Sequence, residues 1–206
     1  MSVHACDHPL AAHLLTILRS KTTDPHAFRA AARTLSTLLA IDATQGLATE
    51  TISIETPLEP TDSRTLAQGL AVIPILRAGL SMLEPFLELF PDVAVGYVGL
   101  ERDHTTAEAS SYYCKLPKLQ GRVAICVDPM LATGGSAAQA LDLIKAQSPD
   151  RVILVSVVAT PEGVARVKNS HADCDIYIAA LDRGLNAQKY ILPGLGDYGD
   201  RLYGTA

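Results

Sequence analysis

Cysteine is scarce in this chain and unpatterned. The four cysteines, Cys6, Cys114, Cys126 and Cys174, form no CxxC pair and no regular framework, which argues against a disulfide scaffold and for a reducing compartment. Long apolar runs are missing too. None reaches the length of a bilayer span, and the first ten residues lack a basic stretch followed by an apolar one, so neither a span nor a leader is expected. Positive charge is not in surplus. With 17 Lys+Arg against 22 Asp+Glu the formal net charge is -5, which disfavours broad attachment to nucleic acid or anionic membrane but leaves room for a local basic pocket. Internal repeats, low-complexity tracts and long linkers are absent. The expectation is a soluble, cytoplasmic protein with no nucleic-acid and no membrane partner.

What is present is ample core. A hydrophobic content of 48% over 206 residues suits one domain, residues 1–206, able to fold without disulfide or metal. Helices are expected over Pro9–Arg19 and from Asp24-Pro25 to Ile41, where Phe28, Ala31, Leu35, Leu38 and Leu39 recur at helical spacing. Thr51–Glu55 alternates like a strand with one wet face. From Leu70 onward short β-branched runs (Leu70–Leu76, Val93–Val98, Val123–Val127, Val152–Val158, Ile176–Ala180) alternate with helical stretches at Leu80–Leu89, Gly135–Ala146 and Pro161–Asn169. That alternation predicts an α/β fold, a parallel sheet flanked by helices. The division is N-terminal helices over 8–42, a core over about 68–181, and a C-terminal lobe over 182–206 that is packed but irregular.

Most of the chemistry lies in one strand–loop–helix run, Asp128-Pro129-Met130-Leu131-Ala132-Thr133-Gly134-Gly135-Ser136 after the strand Val123–Val127. Gly134 and Gly135 let backbone amides approach an anion, Thr133 and Ser136 add hydroxyl donors, and the following helix points its positive end at the same place. GxxxxGKS/T and its lysine are absent, as is GxGxxG. Asp128 instead offers a carboxylate to a ribose diol, so the loop is shaped for a ribose 5-phosphate. Arg77, closing the strand Leu70–Leu76 before small residues, supplies a two-pronged donor for an anion at the sheet's carboxyl edge.

The loop resembles the phosphoribosyl pyrophosphate (PRPP) loop of phosphoribosyltransferases, in the form DPMLATGGS of the uracil phosphoribosyltransferases. Further along, Asn186-Ala-Gln-Lys-Tyr-Ile191-Leu-Pro-Gly-Leu-Gly196-Asp197-Tyr198-Gly199-Asp200-Arg201 resembles the uracil-binding segment of that family, and the likeness extends through the N-terminal half. It implies Arg77, Arg102, Asp128 and Asp197 as the catalytic set, with Arg77, Arg102, Asp197 and the whole 128–136 loop holding PRPP. Ile191 and the main chain of Gly196, Asp197 and Tyr198 would hold uracil. Glu101 stands where the family usually has an aromatic residue, and Tyr198 where it commonly has a small one. Asp200 with Arg201 reads equally as a structural ion pair or as part of catalysis.

The implied reaction joins N1 of uracil to the anomeric carbon of PRPP, giving UMP and pyrophosphate. It needs positioning and charge neutralisation rather than a nucleophilic side chain. No compact set of carboxylates forms a protein metal cage, so Mg2+ would arrive on PRPP oxygens. His4, His8 and His13 read as solvated side chains rather than metal ligands. His104–Pro117 reads as a protruding hairpin or cover. Family resemblance also implies a homo-oligomer and GTP as an effector. Two rivals stand beside this reading: a PRPP- or nucleotide-sensing regulator with an RNA partner, and a phosphoribosyltransferase for another base.

Overall fold

The computed structural model of the chain describes residues 2–102 and 109–205, with the side chains at 101, 102 and 109–111 outside the description. A short strand, β1 (Val3–Ala5), leads into a helix pair, α1 (Pro9–Arg19) and α2 (Pro25–Thr44). Each helix starts on a capping side chain followed by proline. His8 Nδ1 accepts from the Leu10 N–H, and Asp24 accepts from the N–H groups of His26 and Ala27. Proline fits there because its missing N–H would have had no helical partner. Phe28, Ala31, Leu35 and Leu39 are all buried, as their spacing on α2 requires.

The expected strand at 51–55 is longer, β2 (Thr49–Glu55), and pairs antiparallel with β3 (Pro60–Leu66) in a two-stranded ribbon. Pro60-Thr-Asp-Ser-Arg-Thr-Leu66 has no apolar alternation, so nothing local announces that second strand. The main sheet follows: β4 (Gly69–Leu76), a 3-10 turn (Ala78–Met82) running into α3 (Leu83–Leu89), β5 (Ala94–Val95), β6 (Tyr97–Arg102) and β7 (Ala109–Lys115). Next come β8 (Arg122–Val127), β9 (Met130–Leu131), α4 (Gly135–Lys145), β10 (Arg151–Ala159), α5 (Pro161–Ser170) and β11 (Asp175–Leu181). Among the described residues the strand order is β1, β11, β10, β8, β4, β6, β7, parallel throughout except for the β6/β7 hairpin.

Alternation along each strand feeds two cores. Leu70 and Val72 of β4, Val123 and Ile125 of β8 and Ile153 and Val155 of β10 face α1, α2 and α3. Ala71 and Ile73, Ala124 and Cys126, and Val152 and Leu154 face α4 and α5 on the other side. Covering both faces is what makes the strands continuously apolar. Each fully buried aliphatic side chain contributes roughly 1.5–3 kcal/mol of hydrophobic stabilisation.

Some expected elements are revised by the structure. The helix over 80–89 begins as the 3-10 turn, because Pro85 has no N–H to continue an α-helix from the preceding turn. The run Val93–Val98 is split at Gly96, whose N–H donates to Val72 O while a Cβ there would meet Leu116 and Pro117 at 2.9 Å. The C-terminal lobe is more regular than its composition suggests, with a ribbon of β12 (Gly184–Leu185) and β13 (Ile191–Leu192) and a short helix α6 (Tyr198–Tyr203). Ile191, Leu195, Tyr198 and Leu202 are buried in the main core, so tertiary packing supplies the order.

Candidate active site

From β4 the chain crosses to β6 on one side, and from β8 it crosses to β10 on the other. The carboxyl ends of these adjacent strands therefore flank a topological switch point, where an open α/β sheet leaves a crevice. Arg77 follows β4 and Asp128 follows β8. Both line a cavity of about 830 Å3, together with Met130, Ala132 and the C-terminal residues Ile191, Gly196, Asp197 and Tyr198. Arg77 is exposed, and the ion pairs among the described residues do not include it. Arg102 ends β6, the strand beside β4, but its side chain lies outside the described residues, as do residues 104–108 of the expected cover. The described part of the cover is β7, whose Tyr112 lies over Gly99 and lines the cavity.

Local chemistry shapes the loop after β8. Pro129 cannot donate to a ladder, so pairing with β10 lapses there and resumes at β9, Met130 opposite Val158 and Leu131 opposite Ala159. Asp128 stands in the gap. Its N–H donates to Val155 O at 3.1 Å, and its Oδ1 lies 3.5 Å from Met130 N. Gly134, at φ 74°, caps α4 without a side chain, and a Cβ would sit 2.7 Å from Gly163 O. Only glycine meets both conditions. Thr133, Gly135 and Ser136 are partly exposed where α4 begins, while Pro129, Leu131 and Gly134 are buried beneath the loop.

One anchor of this loop escapes the sequence reading. Thr160, fully buried, caps α5 by accepting from Gly163 N at 3.0 Å and donates its hydroxyl hydrogen to Ala132 O at 2.6 Å. Its own N–H donates to Leu131 O at 3.1 Å. The capping signature Thr-Pro-Glu-Gly is visible in the chain, but its partner is 28 residues away, so its bearing on the loop is not.

The C-terminal lobe closes the other side. Asn186 Oδ1 accepts from Gln188 N and Tyr190 N, folding a turn that sets Gln188, Lys189 and Tyr190 at the cavity wall. The Tyr198 ring points into the core, edge-on to Phe28 at 5.2 Å, with its hydroxyl 3.2 Å from Ser81 Oγ. Its bulk is thus accommodated by burial against Phe28. Burial pushes its phenol up to about 12 against the opposing Ser81 hydrogen bond, with Tyr203 and Asp128 adding to the rise. Asp197 caps α6 by accepting from Asp200 N. Arg201 makes no ion pair with Asp200 among the described residues; its guanidinium donates to the Leu18, Leu195 and Ser20 carbonyls. Of the three N-terminal histidines, His4 lies in β1, while His8 and His13 belong to the start and the middle of α1. His8 caps α1 while staying exposed, His13 is exposed, and the half-buried His4 ring stacks on Tyr177 at 4.4 Å.

An anion-shaped strand–loop–helix at the switch point of a mixed, mostly parallel sheet, roofed by a separate C-terminal lobe, defines a phosphoribosyltransferase fold. A hypoxanthine-guanine phosphoribosyltransferase from Bacillus anthracis shares that fold at a TM-score of 0.54 and 11% identity, over 77% of this chain and 80% of that one. A solved protein from Aquifex aeolicus superposes with a TM-score of 0.94 at 36% identity, covering 99% of both chains. Within this class the chain belongs to the uracil phosphoribosyltransferase family, whose model matches residues 5–205. A uracil phosphoribosyltransferase of Symbiobacterium thermophilum is 49% identical over 201 residues, 97% of this chain and 96% of the relative.

Proposed function

We propose that the protein transfers the phosphoribosyl group of PRPP to N1 of uracil, releasing pyrophosphate, the N1 proton and UMP, the product of pyrimidine salvage. The observation that carries the reading is the convergence of Arg77, Asp128 and the Ile191–Tyr198 segment on one cavity. A sensing regulator would need the PRPP loop alone, and a purine enzyme would have no use for that C-terminal segment.

The bond from the anomeric carbon to pyrophosphate breaks as the bond to N1 forms, with positive charge gathering on the sugar. Asp128 holds the ribose diol, and the amides and hydroxyls of 133–136 hold the 5-phosphate at the positive end of α4. Arg77 with Arg102 offsets the charge growing on pyrophosphate. Asp197 completes the PRPP site. Main-chain groups at Ile191 and Gly196–Tyr198 meet the uracil edge, where backbone donors and acceptors match its carbonyls and N–H groups.

Mg2+ fits the hard-oxygen character of this wall. Asp128 and Asp197 are its carboxylates, and no cluster of three acidic, histidine or cysteine ligands occurs among the described residues. When bound with PRPP, the ion would supply charge neutralisation to the leaving pyrophosphate. No described helix is long and apolar enough to cross a membrane, and all four cysteines are free, in keeping with a cytoplasmic enzyme. Assembly into a homo-oligomer and activation by GTP belong to the same proposal, tested by sedimentation and by assay with the nucleotide.

The deciding experiment measures UMP and pyrophosphate formed from PRPP with uracil, cytosine or hypoxanthine, with Mg2+ and with EDTA. Uracil-specific, EDTA-sensitive turnover is expected. Turnover only with another base would overturn the uracil assignment, and PRPP binding without turnover would favour the regulator. Arg77→Ala is expected to lower kcat/KM for PRPP about a hundredfold while the fold is kept.

A further inference from the structure

The segment proposed to read the base is held from below by two arginines that do not line the cavity. Arg19, the last residue of α1, donates from Nη2 to Asp182 Oδ1 at 2.6 Å and from Nη1 to Asp182 Oδ2 at 2.9 Å. The same Nη1 donates to Gly194 O at 2.8 Å, and Gly194 N–H donates to Asp182 Oδ2 at 2.9 Å. Both backbone groups of Gly194 are therefore taken up by one ion pair, whose aspartate is only 5% exposed. Gly194 sits at φ 60°, and a Cβ there would lie 2.2 Å from Ile191 O. Setting Gly194 thus sets Ile191.

Arg201 ties the same segment back to α1. Its guanidinium lies 4.6 Å over the Phe28 ring, and Nη1 donates to Leu195 O at 2.6 Å and to Leu18 O. Nη2 donates to Ser20 O at 2.6 Å. Leu18 and Ser20 carbonyls belong to the end of a helix, where no later turn supplies their donors. The end of α1 and the 191–201 segment are consequently bound in both directions.

We propose that Arg19 is a positioning residue for base recognition: through Asp182 it fixes the Gly194 backbone, and so aims Ile191 and the Gly196–Tyr198 main chain at the pyrimidine edge. The proposal rests on the uracil reading above. Main-chain groups can discriminate a flat heterocycle only when they are fixed, since a small displacement removes hydrogen-bond alignment. The planar fork of arginine is needed because three acceptors lie on two nitrogens, an arrangement that the single ammonium of lysine cannot copy.

The test compares wild type, Arg19→Lys and Arg19→Ala in three measurements: KM for uracil at saturating PRPP, PRPP affinity of the free protein by calorimetry, and Tm. Arg19→Lys keeps the charge beside Asp182 and guards against a variant that fails to fold. It is expected to raise KM for uracil about fivefold with PRPP affinity within about twofold of wild type, and a folded Arg19→Ala to raise it more than about tenfold. An unchanged KM for uracil in Arg19→Lys, or an equal loss of PRPP affinity, overturns the proposal while wild-type turnover of uracil leaves the parent reading standing. A wild type that makes no nucleotide from uracil overturns the parent reading, and this one with it.

Discussion

Tyr198 shows how one side chain serves two compartments. It lines the cavity, and its ring is buried edge-on to Phe28 in the core. Because burial raises the folded phenol to about 12 from an ordinary 10.0, the unfolded chain loses its proton first as pH rises. The stability this residue gives is therefore full below pH 10 and is lost toward pH 12. Tyr198→Phe is expected to flatten the fall in stability over that window, by at most about 1.4 kcal/mol per pH unit, as read from urea melts. At neutral pH the variant should lose about 1 kcal/mol with the Ser81 hydrogen bond. Thr160 makes a sharper case. Thr160→Val keeps the shape but leaves Ala132 O and Gly163 N without their partner, which is expected to cost about 1–3 kcal/mol of stability. PRPP affinity by calorimetry should fall several-fold, and Thr160→Ser should restore most of it.

At the scale of elements, α5 acts as the bed of the 128–136 loop. Gly163 at its first turn would carry a Cβ 2.5 Å from Ala132 O and 2.6 Å from Leu131 O, so Gly163→Ala must displace the loop or the helix. The expected outcome is weaker PRPP binding with KM for uracil little changed at saturating PRPP. Helix boundaries α1, α4 and α5 are legible because capping residues, proline and glycine act within a few positions. The β2/β3 ribbon, the broken β5/β6 strand and α6 are less so. In each, pairing or burial against distant residues overrides weak local preference.

The whole molecule decides which groups can react. Cys126 is fully buried and its thiol is pushed well up by burial, with Asp128 and Cys174 adding to the rise. Cys174 is pushed to about 12, chiefly by burial. Cys114 is exposed and Cys6 half-buried. Alkylation of the native protein at pH 8, followed by mass spectrometry, should therefore mark Cys114 first and Cys6 more slowly. Cys126 and Cys174 should react only on unfolding; labelling of Cys126 in the native state would mean that the sheet opens at β8.

The alternating α/β pattern, the loop over 128–136 and the strand-end residues Arg77 and Asp128 are legible in the chain because glycine, proline and apolar period act locally, whereas Ile191 and Gly196 are singled out only by the family resemblance. Only the folded chain brings those pieces to one cavity, packs the Tyr198 ring on Phe28, and sets Thr160, Arg19 and Arg201 behind its walls. A buried hydrogen bond depends on which groups the fold brings together, and such partners leave no local mark on the chain.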